Sequence, residues 1–405
     1  MTQRTPGVPG SIVRSSRQLL GELCEMSSAS GDVEGLLSVA HRLGRELTGL
    51  GLLTEIHAGP GHNGKAQPVL VAREPDGGDP CVLVIGHLDT VLPASGTRCE
   101  GNRFYGPGAL DMKGGFAALV GALGLLRETG ETPPSNLVVV AVPDEEIGGP
   151  ISSQTVRFWG DRASSVLILE PGAATERGET LVMGRRGLTV WRLDARGTAA
   201  HSGVAYWDGR SAVAAAGEWA GRVQRLSEED DGPVVNVGRV VGGDSEFVSD
   251  VGEEHRFIGT SERLNIVADR CLVEGEVRYL ACSERDRILT VMRKLADEVA
   301  ADWGVSLDFA EVEHIPPMTA CDKGRALAEH LTRSAEESGW LLELETNRGG
   351  VSLPNFLTDP SAIPVVDGLG PVGDGMHTRG EFVDLRSLER RIHLIAEALR
   401  YFRDS

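Results

Sequence analysis

A chain of 405 residues with 41% hydrophobic and 24% charged residues and 52 glycines is long enough for about two globular domains and carries many turns. Its formal net charge of −19 argues against nucleic acid or an anionic membrane surface as partner, because phosphate would be repelled. No apolar signal core is read at the start and no transmembrane helix is predicted. The cysteines Cys24, Cys81, Cys99, Cys271, Cys282 and Cys321 form no Cys-x-x-Cys pair, so reduced thiols in a cytoplasmic protein are expected.

In chain order, residues 1 to about 12 read as a loose tail, given their Pro and Gly content. A helix is predicted over Ser16 to Met26. A second starts near Gly31 and Asp32, where polar caps precede Val33, Leu36, Leu37, Val39, Ala40 and Leu43 at helical spacing. Thr54 to His57 and Pro68 to Ala72 read as strands around a Gly-rich turn. Val82 to His87 is an uninterrupted apolar run up to Gly86, the pattern of a central strand covered on both faces, and it ends in His87-Leu88-Asp89. A long, nearly all-apolar helix follows over Asp111 to Thr129. Asn136 to Val142 and Ser165 to Leu169 are further buried strands, ending in Asp144-Glu145-Glu146 and in Glu170.

The pattern changes after about Arg186. Leu188 to Ala195 alternates as a half-exposed antiparallel strand does, Ser211 to Leu226 is an amphipathic helix, Val234 to Val241 and Leu264 to Leu280 are strands, and Arg285 to Trp303 is a helix. From about Ile315 the first pattern resumes, with a helix over Lys323 to Glu337, short strands near Leu342 to Thr346 and Ile363 to Val366, and a last helix over Leu385 to Phe402. The expected fold is therefore α/β, a mainly parallel mixed sheet covered by helices and formed by residues 1–186 plus 314–405, with an inserted α+β module over residues 187–313.

A lone His-x-Asp is usually an ordinary loop-edge pair. Here the same sheet edge also gathers Asp111, Glu145, Glu146 and Glu170, and His377 follows in Gly373-Asp374-Gly375-Met376-His377. Carboxylates collected at the edge of a core are costly unless paired or bound to metal, and mixed His and carboxylate ligation suits zinc or a related divalent ion.

At this point the sequence resembles the co-catalytic zinc exopeptidases and amidohydrolases, which include glutamate carboxypeptidase of the bacterial folate-cleaving type, acetylornithine deacetylase, succinyl-diaminopimelate desuccinylase and the aminoacylases. Four motifs carry the resemblance: Gly86-His87-Leu88-Asp89-Thr90, the run Gly106 to Gly115, Asp144-Glu145-Glu146-Ile147-Gly148, and Met376-His377-Thr378. It implies one zinc (or Co2+ or Mn2+) held by His87, Asp111 and Glu170 and a second held by Asp111, Glu146 and His377. It implies Asp89 as the group accepting from the far nitrogen of His87, Glu145 as general base toward a metal-activated water, and a cis peptide after Asp111. The inserted module would be a lid and a homodimer interface. Its His201 would cross to the partner subunit's site to stabilise the oxyanion, and Asn265 and Arg278 would touch a substrate carboxylate. Gly349 and Gly350 lie in the segment that approaches substrate, where the family's acidic residue is replaced by Leu353. The implied activity is hydrolysis of an amide bond in a small N-acyl amino acid or short peptide. Acyl transfer or condensation on the same fold, and a non-catalytic binding relative, are the alternatives.

Overall fold

A computed structural model describes residues 7–59, 66–254 and 265–403. They form two compact units. One comprises Met1–Gly184, Met318–Arg348 and Ser352–Ser405, and the other Arg185–Pro317 with Gly349–Val351.

The first unit is built on a six-stranded sheet, in the order Leu53–Gly59, Gln67–Arg73, Leu137–Val142, Cys81–His87, Ala163–Ile168 and Val365–Val366. The first two pairings are antiparallel and the remaining three parallel. Every residue of Cys81–His87 and of Leu137–Val142 is buried, as expected of strands covered on both faces. Three parallel neighbours end side by side at His87, Val142 and Ile168, so the polar residues that follow them in sequence share one sheet edge. The covering helices include Gly10–Glu25, Val33–Gly49, Gly114–Glu128 and Leu385–Arg403, whose apolar residues join one core cluster. The segment Ala109–Glu128 is long and apolar enough to cross a membrane, but its most apolar 18-residue window is 89% buried in this core.

Several elements differ from the sequence reading. The first helix begins at Gly10, inside the expected tail, with Pro9 as its N-cap and Val13, Ser16 and Leu19 buried against the core. Proline is tolerated there because the first N–H groups of a helix have no intrahelical partner. The expected helix from Asp111 starts as a kinked turn, Ala109–Lys113, and becomes regular at Gly114. The helix Pro150–Gly160 was not anticipated. Its amino end is set by Asp144, whose carboxylate accepts from the backbone N–H of Ile151 (3.2 Å) and Ser152 (2.8 Å) and from the Ser152 hydroxyl.

The second unit has an antiparallel sheet ordered Val234–Gly243, Arg270–Tyr279, Gly187–Arg196, Ser306–Ile315. The helices Ala212–Gln224 and Cys282–Trp303 supply Trp219, Val223, Ile288, Met292 and Val299 to a separate core with Trp191, Leu193 and Val273 of the sheet. Trp191 and Trp219 meet edge to face, with centroids 5.3 Å apart. Strand Ser306–Ile315 escaped the sequence reading because it is an edge strand. Its Asp308, Glu311, Glu313 and exposed Val312 blur the alternation that marks a half-buried strand. Helix Ser245–Glu254 was also not anticipated. The expected start of the preceding-sheet strand at Leu264 lies outside the described residues, and the strand begins at Arg270.

The first unit also encloses an arginine–glutamate ion pair. Arg391, in the last helix, is 0% exposed and its Nε donates to Glu179 Oε2 at 3.0 Å, while its other nitrogens donate to the carbonyls of Gly368 and Thr180. Glu179 also accepts from Ser387 and Arg390. Removing one partner of such a pair leaves an uncompensated buried charge. Arg391→Met should therefore destabilise the protein by about 3–5 kcal/mol in denaturant unfolding. Addition of Glu179→Gln should cost much less than its own single-variant value, which a double-mutant cycle reads directly.

Candidate metal centre

Close packing places the site's first histidine. A side chain on Gly86 would meet the Met112 sulfur at 2.7 Å and Phe116 at 2.8 Å, so only glycine lets Met112 lie flat on this strand. Met112 Sδ in turn accepts the backbone N–H of His87 at 3.1 Å. The Asp111–Met112 peptide is cis. The turn that carries Asp111 begins at Gly108, whose φ of +75° suits glycine, and it is held from the far end of the chain by Glu381.

Asp111 divides its carboxylate between the two histidines. His87 Nε2 lies 3.0 Å from Oδ1, and His377 Nε2 lies 3.3 Å from Oδ2. Glu170 Oε1 is 3.6 Å from His87 Nε2, and Glu146 Oε2 is 3.1 Å from His377 Nε2. One carboxylate thus stands between two clusters, each with one imidazole and one further carboxylate. Glu145 belongs to the same gathering: it offers an oxygen within 4.8 Å of ligand atoms on His87 and Glu170. His87 is fully buried, whereas the His377 side chain is 53% exposed and its backbone has φ +62°.

Asp89 meets the far nitrogen of His87, as the resemblance implies, and makes further contacts as well. His87 Nδ1 lies 3.0 Å from the Asp89 main-chain oxygen and 3.3 Å from its carboxylate. That carboxylate accepts the backbone N–H groups of Glu145 (3.1 Å) and Glu146 (3.2 Å) and the Ser30 hydroxyl (2.7 Å). Asp89 therefore fixes the backbone of the two glutamates as well as the histidine ring. Ser352, not singled out in the sequence, donates its hydroxyl to Glu170 Oε1 at 2.7 Å. Neither Ser30 nor Ser352 carries a local sequence signal, since each acts across more than 50 residues of chain.

The electrostatics follow from crowding. Burial opposes the charged form of His87, but the adjoining Asp111, Asp89 and Glu170 more than offset this and hold its pKa well above the ordinary value. The contact with Asp111 raises His377 to about 9, and the two histidines hold Asp111 below the ordinary carboxylate range despite its burial. Burial pushes Glu145 up to about 7 and Glu146 to about 8, with the neighbouring Asp111 adding to both. Among protein groups alone, protons on the histidines supply the positive charge that keeps these carboxylates together. Divalent cations fit the same place: neutral imidazole nitrogens and carboxylate oxygens are their usual donors, and the buried Glu146 Oε1 has no hydrogen-bond partner among the described residues.

The other predicted residues lie in the second unit. His201 is exposed, with its Nδ1 accepting the N–H of Gly203 at 3.1 Å, and it pairs through its backbone with Ile266 beside the exposed Asn265. Arg278, on strand Arg270–Tyr279, is forked onto Glu276 with both contacts at 3.1 Å. Gly350 offers its carbonyl to Arg185 at 3.1 Å, and Gly349 precedes it. Leu353 is 0% exposed and belongs to the turn Leu353–Phe356 of the first unit, so the residue in the family's acidic position is packed into the protein in this conformation.

A family model described as Peptidase family M20/M25/M40 matches residues 83–401. Carboxypeptidase G2 of Pseudomonas sp. (strain RS-16) is 26% identical over 391 residues, covering 94% of this chain and 87% of that protein. Succinyl-diaminopimelate desuccinylase of Rhodospirillum centenum is 26% identical over 343 residues, covering 79% and 80% of the two chains. Among solved structures, a tripeptidase from Staphylococcus aureus superposes with TM-score 0.75 at 20% identity, covering 97% of this chain and 99% of that one. Aminopeptidase PepT from Bacillus cereus superposes with TM-score 0.74 at 19% identity, covering 96% and 98%. At such identities the structural likeness speaks to the fold alone.

The Ser352 contact generates a test. Groups that orient metal-bound carboxylates usually contribute about 10–100-fold to metal affinity or activity. Ser352→Ala should lower one or both by an amount in that range, measured by Zn2+ titration and steady-state kinetics, with little change in the melting temperature.

Proposed function

The chain belongs to peptidase family M20/M25/M40, a family of metal-dependent peptidases and amidohydrolases, and from that premise we propose that it hydrolyses the amide bond of a small N-acyl amino acid or short peptide carrying a free carboxylate on the leaving side. The observation that carries this reading is the division of Asp111 between His87 and His377, with Glu170 and Glu146 completing the two sides. His87, Asp111 and Glu170 would hold one cation and Asp111, Glu146 and His377 the other, with zinc the best match to this mixed donor set and Co2+ or Mn2+ as substitutes. Bound there, two cations would polarise the scissile carbonyl and make a water more acidic.

The chain's own groups do the rest. Glu145, fixed through its backbone N–H by Asp89, takes a proton from the attacking water and returns it to the departing amine. Asp89 holds the ring of His87 and the Glu145–Glu146 backbone in one register. A glutamate carboxypeptidase-like specificity is the preferred form, supported by the similarity to carboxypeptidase G2. In that form a substrate carboxylate would have to draw Arg278 away from Glu276. The chain would act as a homodimer through the inserted unit, with His201 donating to the oxyanion in the site of a second copy.

Zn2+-loaded protein should hydrolyse at least one member of a panel of N-acyl amino acids and dipeptides, and lose activity on chelation. Glu145→Ala should lower kcat by about 10²–10⁴-fold while retaining its metal. A panel with no turnover, or a fully active Glu145→Ala, would refute the hydrolase reading. The shared site has a separate check. Inactive Glu145→Ala and inactive His201→Ala, mixed under conditions that exchange subunits, should regain activity, because a heterodimer restores one complete site. Exchange without rescue would rule out a shared site.

A further inference from the structure

We propose that Glu381 is a positioning residue of the metal centre, acting as the template that shapes the Asp111 turn; the inference rests on the metal-site reading above. Glu381 is 5% exposed, and its carboxylate accepts three amides of this turn: Gly108 N–H at 2.9 Å on Oε2, and Leu110 N–H at 2.8 Å and Asp111 N–H at 3.0 Å on Oε1. A helical or sheet partner is impossible for these amides, because the turn is kinked at Asp111 (φ −119°, ψ 94°) and at Met112. Left without acceptors in this enclosed place they would each carry the full penalty of a buried, unsatisfied donor. A carboxylate suits the task because it has two oxygens and no donor to conflict with three incoming N–H groups.

The place of Glu381 in the chain gives the contact its significance. It lies four residues beyond His377. Its own N–H donates to the Thr378 carbonyl, its carbonyl accepts from Gly106 N–H, and the following residues Phe382–Asp384 pair with Arg103–Tyr105. The segment that presents His377 is therefore joined on the same residue to the segment that presents Asp111. Glu381 sets where the Asp111 carboxylate stands relative to His377, the pair found 3.3 Å apart. Lys113, buried with its Nζ on the Met26 carbonyl, supplies a compensating positive charge nearby.

The test compares wild-type protein, Glu381→Gln and Glu381→Asp for Zn2+ affinity, by competition with a chromophoric chelator, and for melting temperature with and without Zn2+. Glu381→Gln turns one acceptor into a donor and should weaken Zn2+ binding by about 10–100-fold in protein that is still folded, with Glu381→Asp intermediate. A folded Glu381→Gln that binds Zn2+ as wild type does would overturn the proposal, because a purely structural role would lower only the melting temperature. Should both variants fail to fold, amide exchange on the wild type decides. Slow exchange at Gly108, Leu110 and Asp111, slowed further by Zn2+, supports the template, and exchange as fast as in open loops refutes it. Wild-type protein that takes up no Zn2+ would instead bring down the metal-site reading, and this inference with it.

Discussion

Like charges held together at a largely buried sheet edge are the constraint on which this structure turns. Asp111, Glu146 and Glu170 stand within a few ångströms of two histidines, and Asp89 and Glu145 lie close by. Such a group separates unless positive charge lies among its members. The protein answers with geometry before chemistry: three parallel strand ends side by side, a glycine that lets Met112 seat the first of them, and backbone amides that tie Asp89 to Glu145 and Glu146. The sheet of the first unit can be understood as the frame that keeps mutually repelling groups at fixed separations.

Much of this frame was legible in the residue order. Uninterrupted apolar runs ending in His87, Val142 and Leu169 have one simple interpretation, buried parallel strands, and the acids that follow them necessarily share an edge. The second unit was legible from its alternating strands and amphipathic helices, except at Ser306–Ile315, where an edge position relaxes the pattern. Contacts made across long stretches of chain were not legible. Glu381 and Ser352 look like ordinary polar loop residues until folding brings one to the Asp111 turn and the other to Glu170. Even Asp89, identified correctly as a neighbour of His87, proved to direct its carboxylate mainly at the peptide groups of the two glutamates.

Leu353 illustrates a different limit. In the sequence it stands out as an apolar residue where the resembling family keeps an acid, which suggests an altered binding surface. In the fold it is entirely buried in the Leu353–Phe356 turn, and its neighbours retain the polar work: Ser352 reaches Glu170, and Asn355 accepts the Ser352 N–H at 3.0 Å.

The unequal exposure of the two histidines gives the cluster a direction. His87 is sealed beneath the sheet edge while more than half of the His377 side chain faces outward, on a backbone turn that tolerates few residue types. The cluster accordingly has a buried side at His87 and an exposed side at His377. The His377 ring is thus the imidazole of the pair that meets solvent, and the His87 ring is shut away from it.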